Sequence, residues 1–413
     1  MAPPRSDAAR PPRARSSVAP SERAAAHAVT PALAATLAAK LLAWFDEHRR
    51  PLPWRATSDA YRVWLSEVML QQTRVETVIP FYERFVSRLP TVGALASASL
   101  DEVLGLWSGL GYYRRARQLQ LAAREVLSRF GGELPRTARE LRTLPGVGRY
   151  TAGAVSSIAW GEVEPLVDGN VERVFSRLFL VDEPAKSRRL TEVAWALASA
   201  LVPATRPGDF NQALMELGAT VCVKGKPACA RCPLAERCAA LAAGRAHELP
   251  RAASPKRQRP VSLFALAVTR GDRVLLARRP DEGLFGGLWE PPMLEARSLA
   301  EARRLAAALM PSVTFSSVGR FEHVLSHRRL DVRVLAGRQG ARASAAPLPG
   351  YERARWVGRA ELDASELGTS TLARRALDLA ARALEPAPSR LSVGGAGARA
   401  RREGARARRA AGR

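Results

Sequence analysis

The sequence contains no uncharged apolar run of 18 residues; the apolar stretch from Leu33 to Phe45 is broken by Lys40, and its spacing is helical. Neither a membrane span nor a secretory signal is expected, and a cytoplasmic setting follows. Cysteine is scarce. Only four occur in 413 residues, all between positions 222 and 238, so they read as one local centre. Acidic residues are also in short supply, 39 Asp plus Glu against 64 Lys plus Arg, for a net charge of +25 and a pI near 11.3. A polyanion is therefore the first partner to consider.

Part of the charge lies in the ends. Residues 1–30 carry five Arg against Asp7 and Glu22, and residues 386–413 carry eight Arg against Glu403. Both segments are too poor in large apolar residues to offset ordering entropy and are expected to be disordered basic tails. About +15 remains for the body, whose length suits two folded domains. Residues 31–245 show helical periodicity almost throughout, as in Thr73–Leu89, Leu100–Trp107, Arg114–Phe130 and Leu190–Leu201. Residues 246–260 hold the Pro-rich, basic text HELPRAASPKRQRP and are expected to be a linker. From 261 to 385 the pattern changes. VSLFALAV and VLLARR flank Arg270-Gly271-Asp272 as in a hairpin, while LDVRVLAG and ARWVG alternate with helical stretches near Ala300 and Ala373, which predicts an α+β unit.

Cys222, Cys229, Cys232 and Cys238 are spaced C-x6-C-x2-C-x5-C directly after a helix. Disulfides and structural zinc are the competing uses of four such thiols; the missing secretory segment weighs against the first. Residues 144–149, LPGVGR, lie between two helical segments, where Gly146 and Gly148 allow a sharp turn that points amides at a phosphate. Further on, VDGNVERV contains Asp168 and Asn170, and upstream WLSEVMLQQTRV runs from Trp64 to Val75 around Glu67. A carboxyl among Val68, Met69 and Leu70 can keep its proton near neutral pH, as general-acid work requires.

Taken in order, WLSEVMLQQTRV, GLWSGLGYYRRA, LPGVGR, VDGNVERV, FNQALMELGA and the cysteine loop resemble the MutY family of adenine DNA glycosylases, within the endonuclease III-like superfamily, over roughly residues 40–245. The resemblance implies a mainly α helix-hairpin-helix glycosylase domain with a [4Fe-4S] subdomain held by the four cysteines. It places Glu67 as general acid and Asp168 as the carboxylate that stabilises or traps the sugar cation. Leu70, Gln71 and Gln72 come near the evicted base, Gln72 and Tyr112 fill or wedge the stack, and Arg55, Asn170 and Gln212 hydrogen-bond the base or order the acid. Tyr150 stands where the strand-cutting relatives carry a nucleophilic lysine, which implies a monofunctional enzyme.

GLFGGLWEPP, Gly283 to Pro292, and the strands after it resemble the family's Nudix-like 8-oxoguanine recognition domain over roughly residues 261–380. The acidic cluster that a Nudix hydrolase needs for magnesium is missing, with only scattered Glu301 and Arg303 after Glu295, so recognition without hydrolysis is implied. FEHVLSHRRL offers His323, Ser326 and His327 as contacts to 8-oxoguanine, with Leu325 where the family has Phe. The implied partner is double-stranded DNA carrying adenine opposite 8-oxoguanine or guanine, bound by a monomer.

Overall fold

The computed structural model describes residues 29–254, 258–325, 327–340, 347–363 and 367–384. The two basic tails and Ser326 lie outside the described residues, apart from positions 29 and 30.

Residues 31–242 form twelve helices: α1 (Pro31–His48), α2 (Ala60–Leu70), α3 (Val75–Arg88), α4 (Val92–Ser97), α5 (Leu100–Leu106), α6 (Arg114–Phe130), α7 (Ala138–Leu141), α8 (Arg149–Trp160), α9 (Gly169–Leu178), α10 (Arg188–Leu201), α11 (Pro207–Thr220) and α12 (Ala239–Ala242). Side-chain oxygens open many of them. Thr30, Asp59, Thr91, Ser99, Thr137, Asp168 and Ser187 each accept from an amide of the first turn, satisfying donors that the helix cannot.

The helices bury two cores. One collects α2 to α7, with Trp64, Met69, Phe85 and Trp107 at its centre; the other collects α1, α9, α10 and α11 around Phe45, Phe175 and Phe210. Helix α8 serves both, sending Ala152 and Val155 into the first and Ala154 into the second. A residue at the start of α8 thus sits on the seam between two lobes.

After Arg259 the chain builds one sheet from β1 (Arg259–Arg270), β2 (Arg273–Arg278), β3 (Trp289–Glu290), β4 (Met293–Glu295), β5 (Ser316–Val324), β6 (Arg328–Arg338) and β7 (Arg353–Gly358). Its order is β3-β2-β1-β6-β5, with β4 against β1 and β7 against β2; β1 and β6 are parallel, and every other pair is antiparallel. The hairpin turns at Gly271, whose φ of +61° suits glycine. Strand β1 alternates strictly: Phe264, Leu266 and Val268 face a core under helix α13 (Leu299–Leu309), while Val261, Ala265 and Ala267 face one under α15 (Thr371–Leu384). A short α14 (Arg359–Asp363) follows β7.

The two units meet through apolar and polar contacts, with Leu288 buried in the first helical core and Phe285 packed against it. Ser108 Oγ and Tyr113 Oη both donate to the Thr369 carbonyl, at 2.8 and 2.9 Å, Arg117 donates to the carbonyl of Gly286, and buried Arg278 lies 3.6 Å from Asp101. Among the described residues no helix is long and apolar enough to cross a membrane.

Candidate active site

Two carboxyls and a phenol meet at the seam of the helical unit. Glu67, in the penultimate turn of α2, is 4% exposed. Its Oε2 accepts from Tyr150 Oη at 2.5 Å, and the same hydroxyl reaches Met215 Sδ of α11 at 3.3 Å. Burial pushes the Glu67 carboxyl up to about 7 and the nearby Asp168 charge adds to this, while the Tyr150 hydrogen bond and the Arg55 charge oppose it. Tyr150, in the first turn of α8, is held well above the usual phenol range by burial and by both carboxylates. It therefore stays a neutral donor.

Asp168 enters from the other lobe. As the N-cap of α9, its Oδ1 accepts from the amides of Asn170 (2.9 Å) and Val171 (2.8 Å), and its Oδ2 accepts from Asn170 Nδ2 at 2.8 Å. Burial holds its carboxyl above the usual carboxylate range, and these three bonds with the Arg173 charge offset only part of that rise. Three donors at a helix N-terminus favour the ionised form. Burial raises both carboxyls, and Asp168 differs in accepting three hydrogen bonds where Glu67 accepts one.

The other sequence candidates divide into groups. Arg55 does not touch Glu67. It pairs with buried Glu216 at 2.9 Å and lies over the Phe45 ring, acting on the acid only through its charge. Asn170 orders Asp168 rather than the acid. Gln212 lies on α11, three residues before Met215. Leu70 ends α2 and packs into the first core. Gln71 donates to Thr151 Oγ1 at 3.2 Å.

Between the two units lies a cavity of about 870 Å³. It brings together Gln71, Gln72, Tyr112 and Gly146 from the helices with His323, Leu325 and His327 from the sheet, while Glu67 lies on the flank of α2 turned to α8. Tyr112 is 48% exposed, while its neighbour Tyr113 is buried. His323 is half-buried, its ring 6.3 Å from that of Phe285, and burial followed by the Arg375 charge lowers its basicity.

At the hairpin, Gly146 has φ +74°, and a Cβ there would lie 2.6 Å from Gln118 Cβ; Gly148, extended, has open space around it and heads α8. Gly146→Ala is therefore expected to cost about 1–3 kcal/mol in urea denaturation, through both the left-handed backbone and the clash. Gly148→Ala should cost less than half of that.

The cysteine loop is braced by α9. Arg177, 2% exposed, donates to Cys222 Sγ at 3.2 Å and to the carbonyls of Val223 and Leu249. Arg173 reaches the carbonyls of Cys222 and Gly218 and Asn170 Oδ1. The four thiols lie close enough for Cys222, Cys229 and Cys238 all to bear on Cys232, which burial pushes up to about 11.

Profiles of two families match the chain: the HhH-GPD superfamily base excision DNA repair protein over residues 65–198, and the NUDIX domain over residues 264–379. The adenine DNA glycosylase of Homo sapiens is 38% identical over 393 residues, covering 80% of this chain and 71% of that one. That of Mus musculus is 40% identical over 378 residues, covering 77% and 73%, and that of Schizosaccharomyces pombe 32% over 362 residues, covering 70% and 78%. The chain belongs to the adenine DNA glycosylase family.

Within this adenine DNA glycosylase fold, several residues at the site went unnoticed in the sequence. Met215 and Glu216 lie in FNQALMELGA, and Arg115 in GLWSGLGYYRRA, all stretches whose order was informative. Glu216 anchors Arg50 at 2.7 Å as well as Arg55, so its carboxyl, despite burial, is held below its usual range by the two arginines. Phe285 lies in GLFGGLWEPP; its φ of +58° and its place on the cavity have no signal in the sequence. Glu301 helps to start α13: its amide donates to Ser298 Oγ at 3.2 Å, and its Oε2 accepts from the Arg297 amide at 2.8 Å.

Proposed function

We infer that the chain is a monofunctional adenine DNA glycosylase of base excision repair, acting on adenine mispaired with 8-oxoguanine or guanine. The observation that carries this reading is the seam site: a buried, proton-retaining Glu67 beside Tyr150, facing an Asp168 held by three donors. Adenine leaves poorly as an anion. Glu67 gives its proton to the ring, the bond from the sugar breaks with its electron pair passing to the base, and positive charge develops on the sugar. Asp168 stabilises or traps that cation until water adds, and the water's proton restores Glu67. Tyr150 has no amine to form an imine with the opened sugar, so the strand is left uncut.

Base flipping is assigned to Gln72 and Tyr112, with Gln71 beside them, and the opposite base to His323 and His327 across the cavity and, from the sequence alone, to Ser326. Gly146 and Gly148 present amides to a phosphate. Leu70, Arg55, Asn170 and Gln212 shape the base pocket and its charges. The working division is a glycosylase domain at 31–245, a linker at 246–260 and a recognition domain at 261–385, embracing one duplex as a monomer in the compartment that holds the DNA. Two units gripping one lesion favour recognition of both strands together.

A [4Fe-4S] cluster fits the cysteine loop. Four thiols lie within mutual electrostatic reach, and Arg177 donates to the sulfur of Cys222. Among the described residues no group of three or more His, Cys, Asp or Glu is placed to hold a metal ion, so the cluster assignment rests on the cysteine spacing and these contacts. Cys222, Cys229, Cys232 and Cys238 would hold the cluster, which ties the loop into one rigid element when bound. Arg173 and Arg177 would pass that rigidity to α9 and so to Asp168.

The test is a single-turnover assay on duplexes with adenine opposite 8-oxoguanine, guanine or thymine, each read with and without alkali. Alkali-dependent breaks at the first two and none at the third are expected. Breaks without alkali would mean lyase chemistry, and equal cutting of the thymine pair would remove the mismatch assignment.

A further inference from the structure

Three non-glycine residues with left-handed backbone line the cavity between the units: Gln72 (φ +58°), Tyr112 (+50°) and Phe285 (+58°). Each such conformation is strained and persists only where the surroundings hold it. For Gln72 and Tyr112 the holder is one side chain. Arg115, in the first turn of α6, donates through Nη1 to the carbonyls of Val68 (2.7 Å), Met69 (2.8 Å) and Gln71 (2.7 Å). Through Nη2 it donates to Thr73 Oγ1 and the Gly111 carbonyl, both at 3.1 Å. The fork therefore grips the residues on either side of Gln72 and the residue just before Tyr112.

Its plane lies over two rings, Trp107 and Tyr112, each 5.4 Å away. No carboxylate is among these partners, and Nε is buried without a hydrogen bond. Burial lowers the guanidinium to about 10, so it remains a cation at neutral pH. The carbonyls it binds close the C-terminal end of α2, where a positive charge complements the helix dipole, and α2 is the helix that carries Glu67.

We propose that Arg115 is the positioning residue of base eviction, locking Gln72 and Tyr112 into one rigid wedge and fixing that wedge to the helix that bears the acid. Wedge entry and delivery of the base to Glu67 are then one geometric event. This rests on the glycosylase reading above. Lysine keeps the charge but lacks the planar fork, so it cannot serve five acceptors at once.

The test uses the full-length chain and a duplex carrying a fluorescent adenine analogue beside the target base. Arg115→Lys is expected to slow the unstacking signal at least tenfold and base release by a similar factor, while the pH at which release declines stays where it is in the wild type. In the background of Gln72→Ala, Arg115→Lys should cost less than threefold, because the wedge is already lost. Arg115→Ala should regain at least threefold in rate with added ethylguanidinium. Unstacking at the wild-type rate in Arg115→Lys, effects of the two substitutions that simply multiply, or a loss matched by unfolding at the assay temperature would each overturn the proposal. A wild-type chain that releases no base would instead remove the underlying glycosylase reading.

Discussion

Glu67→Gln should lower the single-turnover rate of base release by about 10²–10⁴-fold, the usual worth of a positioned general acid. The amide preserves size and can still accept from Tyr150, but it has no proton to give. Burial also dictates a pH profile. The Glu67 carboxyl is pushed up to about 7, and the protonated form is the working one. The wild-type rate should therefore be level below that point and fall about tenfold per pH unit above it. The residual rate of Glu67→Gln should lack this limb. A wild-type rate that climbs through pH 7 to 9 would show that Glu67 works as a base instead.

Asp168→Asn separates chemistry from structure. Asparagine caps a helix as well as aspartate does, so the amides of Asn170 and Val171 keep an acceptor and only the bond from Asn170 Nδ2 is lost; urea denaturation should show a change of about 1–2 kcal/mol. The negative charge facing the sugar is lost, and release should fall by roughly 10²–10³-fold, as when one preorganised electrostatic contact to a transition state is removed. Comparable losses of stability and rate would make Asp168 a structural cap alone. If the rate stayed near that of the wild type, the sugar cation would have another partner.

Much of this arrangement was legible in the residues. Helix α6 spans Arg114–Phe130, as its periodicity and Gly131 predict, and the hairpin at Gly271 follows from the alternation on either side. Glu67 and Asp168 stood out because WLSEVMLQQTRV and VDGNVERV resemble the family's motifs, and the apolar neighbours of Glu67 suited an acid that keeps its proton; that Asp168 caps a helix is visible only in the structure. What the sequence could not convey is partnership across long separations. Tyr150 was noted for the amine it lacks, whereas its hydroxyl binds Glu67, 83 residues away. Arg55 and Asn170 were expected to act on the base or the acid; their bonds to carboxylates go to Glu216 and Asp168. The roles of Arg115 and Phe285 depend on backbone φ and on carbonyls from distant turns, and neither leaves a spacing pattern. Cysteine spacing, by contrast, is local and could be read directly.

The most direct measurement of the central claim is the free base released from a duplex holding a single adenine opposite 8-oxoguanine, with the wild-type chain in excess at pH 6.5. The account requires one free adenine for each duplex, an intact strand until alkali is added, and no release by Glu67→Gln over the same interval. Adenine that stays in the DNA with the wild-type chain, or that leaves as readily with Glu67→Gln, would contradict it.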